Sequence, residues 1–229
     1  MAIFTPGPAV GQISGRVGGT VFSHNRGGPY MRNGVIPTAS HTAYAEAAKA
    51  RLTSLSRTWA AVGADDKTAW RTWAQNNPIT NRLGNQVTLA PHMAYMQINN
   101  RLLAAGDAVI DIPPLDPAPA PLLTLSAALG VIAGTCILTF TATPLAADLR
   151  LWTEAALVSG AGISYVQNLF KNIDISAKAL ATDVDLIADL EARFGSIIEG
   201  QVLHLRCATF DSTTGLLSAP LIASATVAA

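Results

Sequence analysis

Residues 122–144 read LLTLSAALGVIAGTCILTFTATP, the centre of an uncharged run from 117 to 147 bounded by Asp116 and Asp148. A run of that length is long enough to span a bilayer, so its reading decides the fold. Gly130 and Gly134 interrupt it, Thr and Ser recur from Thr124 to Thr143, and no basic cluster flanks it. A membrane span needs continuous apolar character and basic anchors to orient it. Cys136, Leu138 and Phe140 fall on alternate positions, the period of a strand with one buried face. The stretch predicts two buried strands, 122–127 and 136–143, separated by a glycine-marked turn, and no membrane segment.

The chain downstream continues in the same manner. Leu149, Leu151 and Thr153 alternate through 148–154, and Leu203, Leu205 and Cys207 through 201–210. Residues 164–176 hold one or two more strands, and 220–227 forms the last. The sequence DSTTG at 211–215 has the composition of a hairpin loop. One helix interrupts the sheet: Thr182 and Asp185 resemble a capping box, Leu186, Leu190 and Phe194 form a stripe, and Gly195 ends it.

Upstream, Pro113, Pro114, Pro117, Pro119 and Pro121 stiffen the chain into an extended spacer. The domain boundary is placed there, with a linker at 108–121 and a β-rich domain at 122–229. Before it, a small helical domain occupies 38–107. Ala45, Ala48, Leu52, Leu55, Trp59 and Val62 recur at spacings of three and four, one apolar helical face. Thr38 or Ser40 caps the start of that helix and Gly63 fits its end. A second helix starts at Asp65, carries Trp70 and Trp73, and stops at Asn77-Pro78. A short hairpin over 79–89 turns at Gly84-Asn85. A third helix opens at Pro91, stacks Ala94, Ile98, Leu102 and Ala105, and closes at Gly106.

The first 37 residues form a glycine-rich arm. Pro6 and Pro8 keep 1–10 extended and irregular, while GQISGRVGGTVFSHNRGGPYMRNGVIP at 11–37 alternates glycines with short β-prone runs. Asn25-Arg26-Gly27-Gly28 reads as a hairpin turn. A lone hairpin is marginal in water, so the arm needs a docking surface, on its own chain or on a neighbouring copy. Ile13, Arg16, Val17, Val21, Phe22, Arg26, Tyr30, Arg32 and Val35 are the candidate assembly interface.

Composition points the same way. Half of the 229 residues are hydrophobic, yet only 13% are charged, against about 25% in an ordinary soluble domain. That shortage favours large buried surfaces. Residues 1–110 hold ten basic against four acidic groups, a net of +6; residues 111–229 hold five against eleven, a net of −6. The basic half suits an acidic partner, either nucleic acid or the acidic half of another copy. Arg16, Arg26 and Arg32, interleaved with Phe22 and Tyr30, fit either, and a neighbouring subunit's carboxylates are the favoured reading. Met1 leads into AIFTPGPAVG without the pattern of a secretory signal, and two cysteines do not make a disulfide framework. Synthesis in the cytoplasm and two buried free thiols, Cys136 and Cys207, are expected.

No catalytic or cofactor motif emerges. His24, His41, His92 and His204 lack metal-ligand spacing. There is no phosphate-binding loop, dinucleotide fingerprint or nucleophile elbow, and Gly160-Ala161-Gly162 reads as a turn. Asp183, Asp185 and Asp189 cluster at a helix start, where the helix dipole accounts for them without calcium. Trp59, Trp70 and Trp73 have the spacing of a small core; an exposed glycan platform is the alternative. No enzyme, metal or cofactor is expected.

Two resemblances add to this. TFTATP followed by DLRLW, then VLHLRCATFDSTTGLLSAP, resembles the B–C and F–G strands of a fibronectin type III-like sandwich. The resemblance implies that Phe140 is the strand-B core aromatic, where Trp is usual, and that Leu203, Leu205 and Cys207 face inward on strand F. The F-strand Tyr is missing and a helix precedes that strand, so an immunoglobulin-like sandwich is the class implied. GQISGRVGGTVFS with GGPYMR, ahead of a basic alanine-rich helix, resembles the opening of proteins encoded by tailed phages and bacterial genomes. The implied fold class is α+β: a β-arm and small helical domain, then an immunoglobulin-like sandwich with one inserted helix. The implied role is a virion structural protein, capsid decoration or another head- or tail-associated subunit, partnered by itself or other virion proteins. An adhesion or glycan-binding module and an internal nucleic-acid-contacting virion protein are the alternatives.

Overall fold

The computed structural model describes every residue except 1, 4–6, 9–10, 26–27, 36–41, 81–85, 131–133, 142–143, 161, 164, 182 and 228–229. The chain divides into two compact units, Met1–Ala47 and Ala48–Ala229.

The first unit is built on a four-stranded antiparallel sheet in the order β1-β4-β3-β2: β1 (Ala2–Ile3), β2 (Gly15–Val17), β3 (Thr20–Asn25) and β4 (Gly28–Asn33). The hairpin expected around Asn25 and Gly28 is present, with those residues opposite each other; Arg26 and Gly27 lie outside the described residues. β1 is a correction. A two-residue strand beside Pro6 and Pro8 carries no sequence signal, and it forms because β4 supplies a free edge.

The second unit is α+β. Its helices are α1 (Ala43–Ala61, which begins in the first unit), α2 (Ala64–Asn76), α3 (Pro91–Ala105) and α4 (Ile187–Phe194). The caps of the first two differ from expectation. Thr42 Oγ1 accepts from Ala45 N at 3.3 Å, while Thr38 and Ser40 lie outside the described residues. Gly63 is the N-cap of α2, which places Asp65 inside the first turn. Pro91 opens α3 and Gly106 closes it, as expected. Ile79–Thr80 (β5) and Gln86–Val87 (β6) pair as the short hairpin, whose turn lies outside the described residues.

Seven strands form two antiparallel sheets, β11-β8-β7 and β10-β9-β12-β13. The ranges are β7 (Thr124–Gly130), β8 (Thr135–Thr141), β9 (Leu149–Val158), β10 (Lys171–Ile175), β11 (Val184–Asp185), β12 (Val202–Asp211) and β13 (Leu221–Thr226). Between the sheets, Cys136, Leu138, Phe140, Leu151, Leu203, Leu205 and Cys207 make one core with α4 residues Leu190 and Phe194. Within the uncharged run, Thr124–Gly130 and Thr135–Thr141 are therefore strands, and no helix among the described residues is long and apolar enough to cross a membrane. β11 was hidden in the expected capping box. Asp185 is a strand residue whose Oδ1 accepts from Cys136 N at 2.8 Å and from Ile187 N at 3.1 Å. Asp183 Oδ2 accepts from Thr139 Oγ1. These bonds, rather than a helix dipole, account for both carboxylates.

The helices and the two sheets fall within one compact unit, Ala48–Ala229, with residues 108–121 inside it. Phe210 and Trp152 project from the outer face of the four-stranded sheet into the helical core of Leu55, Trp70, Tyr95, Ile98 and Leu102. The proline segment is packed, with Pro113 and Pro114 buried. Trp70 Nε1 donates to Asp111 O at 2.6 Å, and Thr209 Oγ1 donates to Ala120 O at 2.6 Å. Asp107 closes a bidentate pair with Arg150 on β9, at 2.9 and 3.1 Å. Prolines lack backbone donors, so this extended chain is held mainly through its carbonyls, with Ile110 N as a donor to Asn99 Oδ1.

Candidate assembly surface

The arm's register decides which of its side chains share a face, because residues directly opposite in antiparallel strands point the same way. Arg16, Val21 and Arg32 stand in one cross-strand row, with Ser23 and Tyr30 beside them on that face. Phe22 and Met31 stand opposite Gly15 in a row on the other face, with Val17 and Thr20 next to them. The arm thus has one cationic, tyrosine-bearing face and one largely apolar face. Alternation in sequence suggested interleaved arginines and aromatics; the register instead separates Phe22 from both arginines.

Exposure is uneven. Val17 is 71% exposed, Val35 70% and Met31 38%, whereas Ile13, Val21, Phe22 and Tyr30 are half-buried. Arg16 and Arg32 are exposed. Arg26 lies outside the described residues. Val35 follows β4 rather than belonging to it, and Ile13 precedes β2. The outer edges of β1 and β2 pair with no other strand among the described residues. Such an edge presents unpaired backbone groups in register for another strand.

Arg16 also has an internal task. Its Nε donates to Gly18 O at 2.9 Å, across a two-residue turn in which Gly18 takes φ +58°. That conformation is open to glycine without steric cost. Gly34 N donates to Gly19 O at 2.6 Å, and a β-carbon on Gly34 would stand 3.3 Å from the Arg16 guanidinium carbon. The glycines let the backbone of 33–35 close over the turn beneath Arg16.

The other candidate residues sort as follows. Trp70 is fully buried, edge-on to Tyr95 and Trp73, which removes it as a ligand platform. Trp73 is half-buried and lines an open groove of about 590 Å³ with Asn76, Asn77, Pro114 and Leu115. Asn77 is already used there, its Nδ2 donating to Trp73 O. Among the described residues, no group of three or more His, Cys, Asp or Glu could hold a metal ion. Cys136 and Cys207 are buried free thiols of the core shared by the two sheets. Burial, aided by Asp185, pushes the Cys136 thiol up to about 11; burial likewise pushes Cys207 up to about 12, against a hydrogen bond with Thr153.

No protein-family model and no curated protein matches the chain. Among solved structures it is similar to the crystal structure of an Fn3-like protein from Clostridium thermocellum, at 17% identity and a TM-score of 0.30, over 47% of this chain and 92% of that one.

Proposed function

We propose that the chain is a non-enzymatic structural subunit of a tailed-phage particle that assembles through its N-terminal arm, as capsid decoration or another head- or tail-associated protein. The observation that carries this reading is the arm's sheet: two edges open among the described residues, an apolar face, and Val17 and Val35 exposed. Covering such side chains contributes about 1.5–3 kcal/mol for each larger one, enough to offset the ordering of a short added segment. The low charged fraction and the resemblance of the arm to phage-encoded proteins support the same reading. Its partners are copies of itself or other virion proteins. The sandwich is of fibronectin type III type, with β7, β8 and β11 as its A, B and E strands and β10, β9, β12 and β13 as C′, C, F and G.

One observation favours a second reading. Arg16, Arg32 and Tyr30 share a face, a combination that suits nucleic acid inside a particle. A Val17→Asp, Val35→Asp variant separates the two. Under the assembly reading it is lost from particles, or sediments as a monomer where the parent is oligomeric, at unchanged salt sensitivity. Under the second it assembles normally, and Arg16→Gln with Arg32→Gln abolishes nucleic-acid retention. Incorporation of the valine variant at parental levels, together with undiminished nucleic-acid retention by the arginine variant, overturns both readings.

A further inference from the structure

Where α3 crosses the outer face of the four-stranded sheet, a cleft of about 200 Å³ opens between Arg101 and the strands β9 and β12. Trp152, Ala208 and Leu217 give it apolar walls, and Glu154 and Arg206 line it as well. The two strand residues form a closed pair. Glu154 Oε2 accepts from Arg206 Nε at 2.6 Å and also contacts Arg206 Nη2, while Glu154 Oε1 accepts from Trp152 Nε1 at 3.2 Å. The Arg206 guanidinium further stacks on Phe170, 4.6 Å from the ring centroid. Glu154 is thus committed and Arg206 is held from two sides.

Arg101 is left over. It is only partly exposed, and among the described residues no acceptor lies within hydrogen-bond or ion-pair distance of it. Burial lowers its pKa from the ordinary arginine value, and the charge of Glu154 acts in the opposite direction. A guanidinium does not lose its proton at working pH, so the group stays cationic in a cleft of net charge +1. Partly desolvated charge without a partner is costly, and a planar fork of donors matches a carboxylate in bidentate fashion. The volume falls below the range of about 300–1,000 Å³ typical of drug-sized ligands, so only a short molecule fits. A phosphate dianion would keep a second negative charge without a cation, since Arg206 is taken by Glu154.

We propose that this cleft binds a small monocarboxylate, its carboxylate on Arg101 and its short hydrocarbon part against Trp152 and Leu217. The test is a titration of the full chain followed by nitrogen–proton NMR, with the Trp152 indole resonance assigned through Trp152→Phe. Butyrate is the probe, with butyramide, phosphate and chloride at matched ionic strength as controls. Butyrate shifts the Trp152 resonance saturably, with a dissociation constant on the order of 1 mM. Butyramide leaves it in place, and R101Q weakens the response at least about ten-fold while its circular dichroism is unchanged. Butyrate raises the melting temperature of the parent and not of R101Q. An equal shift with chloride or phosphate, no saturable response to butyrate, or full binding by R101Q overturns the proposal. The free acid and a protein carboxylate are told apart by adding a short peptide ending in glutamate; binding of the peptide but not butyrate overturns the small-molecule assignment.

Discussion

Gly215, in the loop after β12, lies so close to Ile98 of α3 that a β-carbon on it would stand 2.7 Å from Ile98 Cγ2. The same atom would be 3.1 Å from Ile98 O, which is backbone and cannot step aside. Gly215 also has φ +70°, a region that side-chain-bearing residues rarely adopt. Asp211 shapes this loop by accepting from Thr213 N at 2.8 Å and Thr213 Oγ1 at 2.7 Å. A loop of the four-stranded sheet is thereby seated on a helix about a hundred residues earlier, joining helices and sheet within the second unit.

Gly215→Ala is therefore expected to destabilise the whole second unit by about 2–4 kcal/mol, combining left-handed strain with overpacking. Urea denaturation followed by tryptophan fluorescence and by circular dichroism measures it. Both signals shift together, and adding Ile98→Ala recovers part of the loss in a double-mutant cycle. A shift in only one of the two signals contradicts a shared core.

Asn99 is fully buried, and its amide replaces a missing strand partner for the proline segment. Its Nδ2 donates to Ile110 O at 3.0 Å and its Oδ1 accepts from Ile110 N at 2.8 Å. Asn99→Ala leaves two backbone groups without partners and costs about 2–4 kcal/mol. Hydrogen exchange localises the effect: the Ile110 amide loses protection before the sandwich core does. Unchanged protection at Ile110 shows that the segment is held by its prolines alone.

The two core thiols give the stability a high-pH limb. Their pKa values in the folded chain, about 11 and about 12, lie above the ordinary thiol value of about 8.5 expected when unfolded. Groups raised in this way favour the folded state fully below the unfolded value, and that contribution is lost as pH rises through the folded values. The urea midpoint is expected to fall between about pH 9 and pH 11, and less steeply in a Cys136→Ala, Cys207→Ala variant compared with its own value at pH 7. At pH 7 a thiol reagent modifies both residues only after unfolding. Rapid modification of the native protein places the thiols outside the core.

Removal of residues 1–37 is expected to leave the melting transition of the second unit within about 1 kcal/mol of the parent, since the cores of that unit are composed of residues from Leu55 onward. Assembly or particle binding is expected to be lost. Replacing Phe22 and Tyr30 with Ser weakens it in steps, each half-buried ring removing part of the contact area. A truncated chain that still joins particles at parental levels refutes the role of the arm.

Local order was plain in the residues. The alternation of Cys136, Leu138 and Phe140 and of Leu203, Leu205 and Cys207 names the inward faces of β8 and β12, because period two is a property of the strand itself. Pro91 and Gly106 bound α3 for equally local reasons. The candidate site was legible as a composition, glycines between β-prone runs, while its two faces were not: Arg16 joins Val21 and Arg32 only through pairing register. Arg101 gave no signal at all, since its isolation depends on Glu154 being taken by Arg206, 52 residues beyond that carboxylate. The packing of the proline segment was hidden for the same reason. Five prolines specify an extended backbone, and whether that backbone spans solvent or lies in a groove depends on Trp70, Asn99 and Thr209 reaching it from elsewhere. Residue order sets periodicity and turns through interactions between near neighbours; register, shared cores and unpaired charges arise from contacts across long loops, which only the folded chain closes.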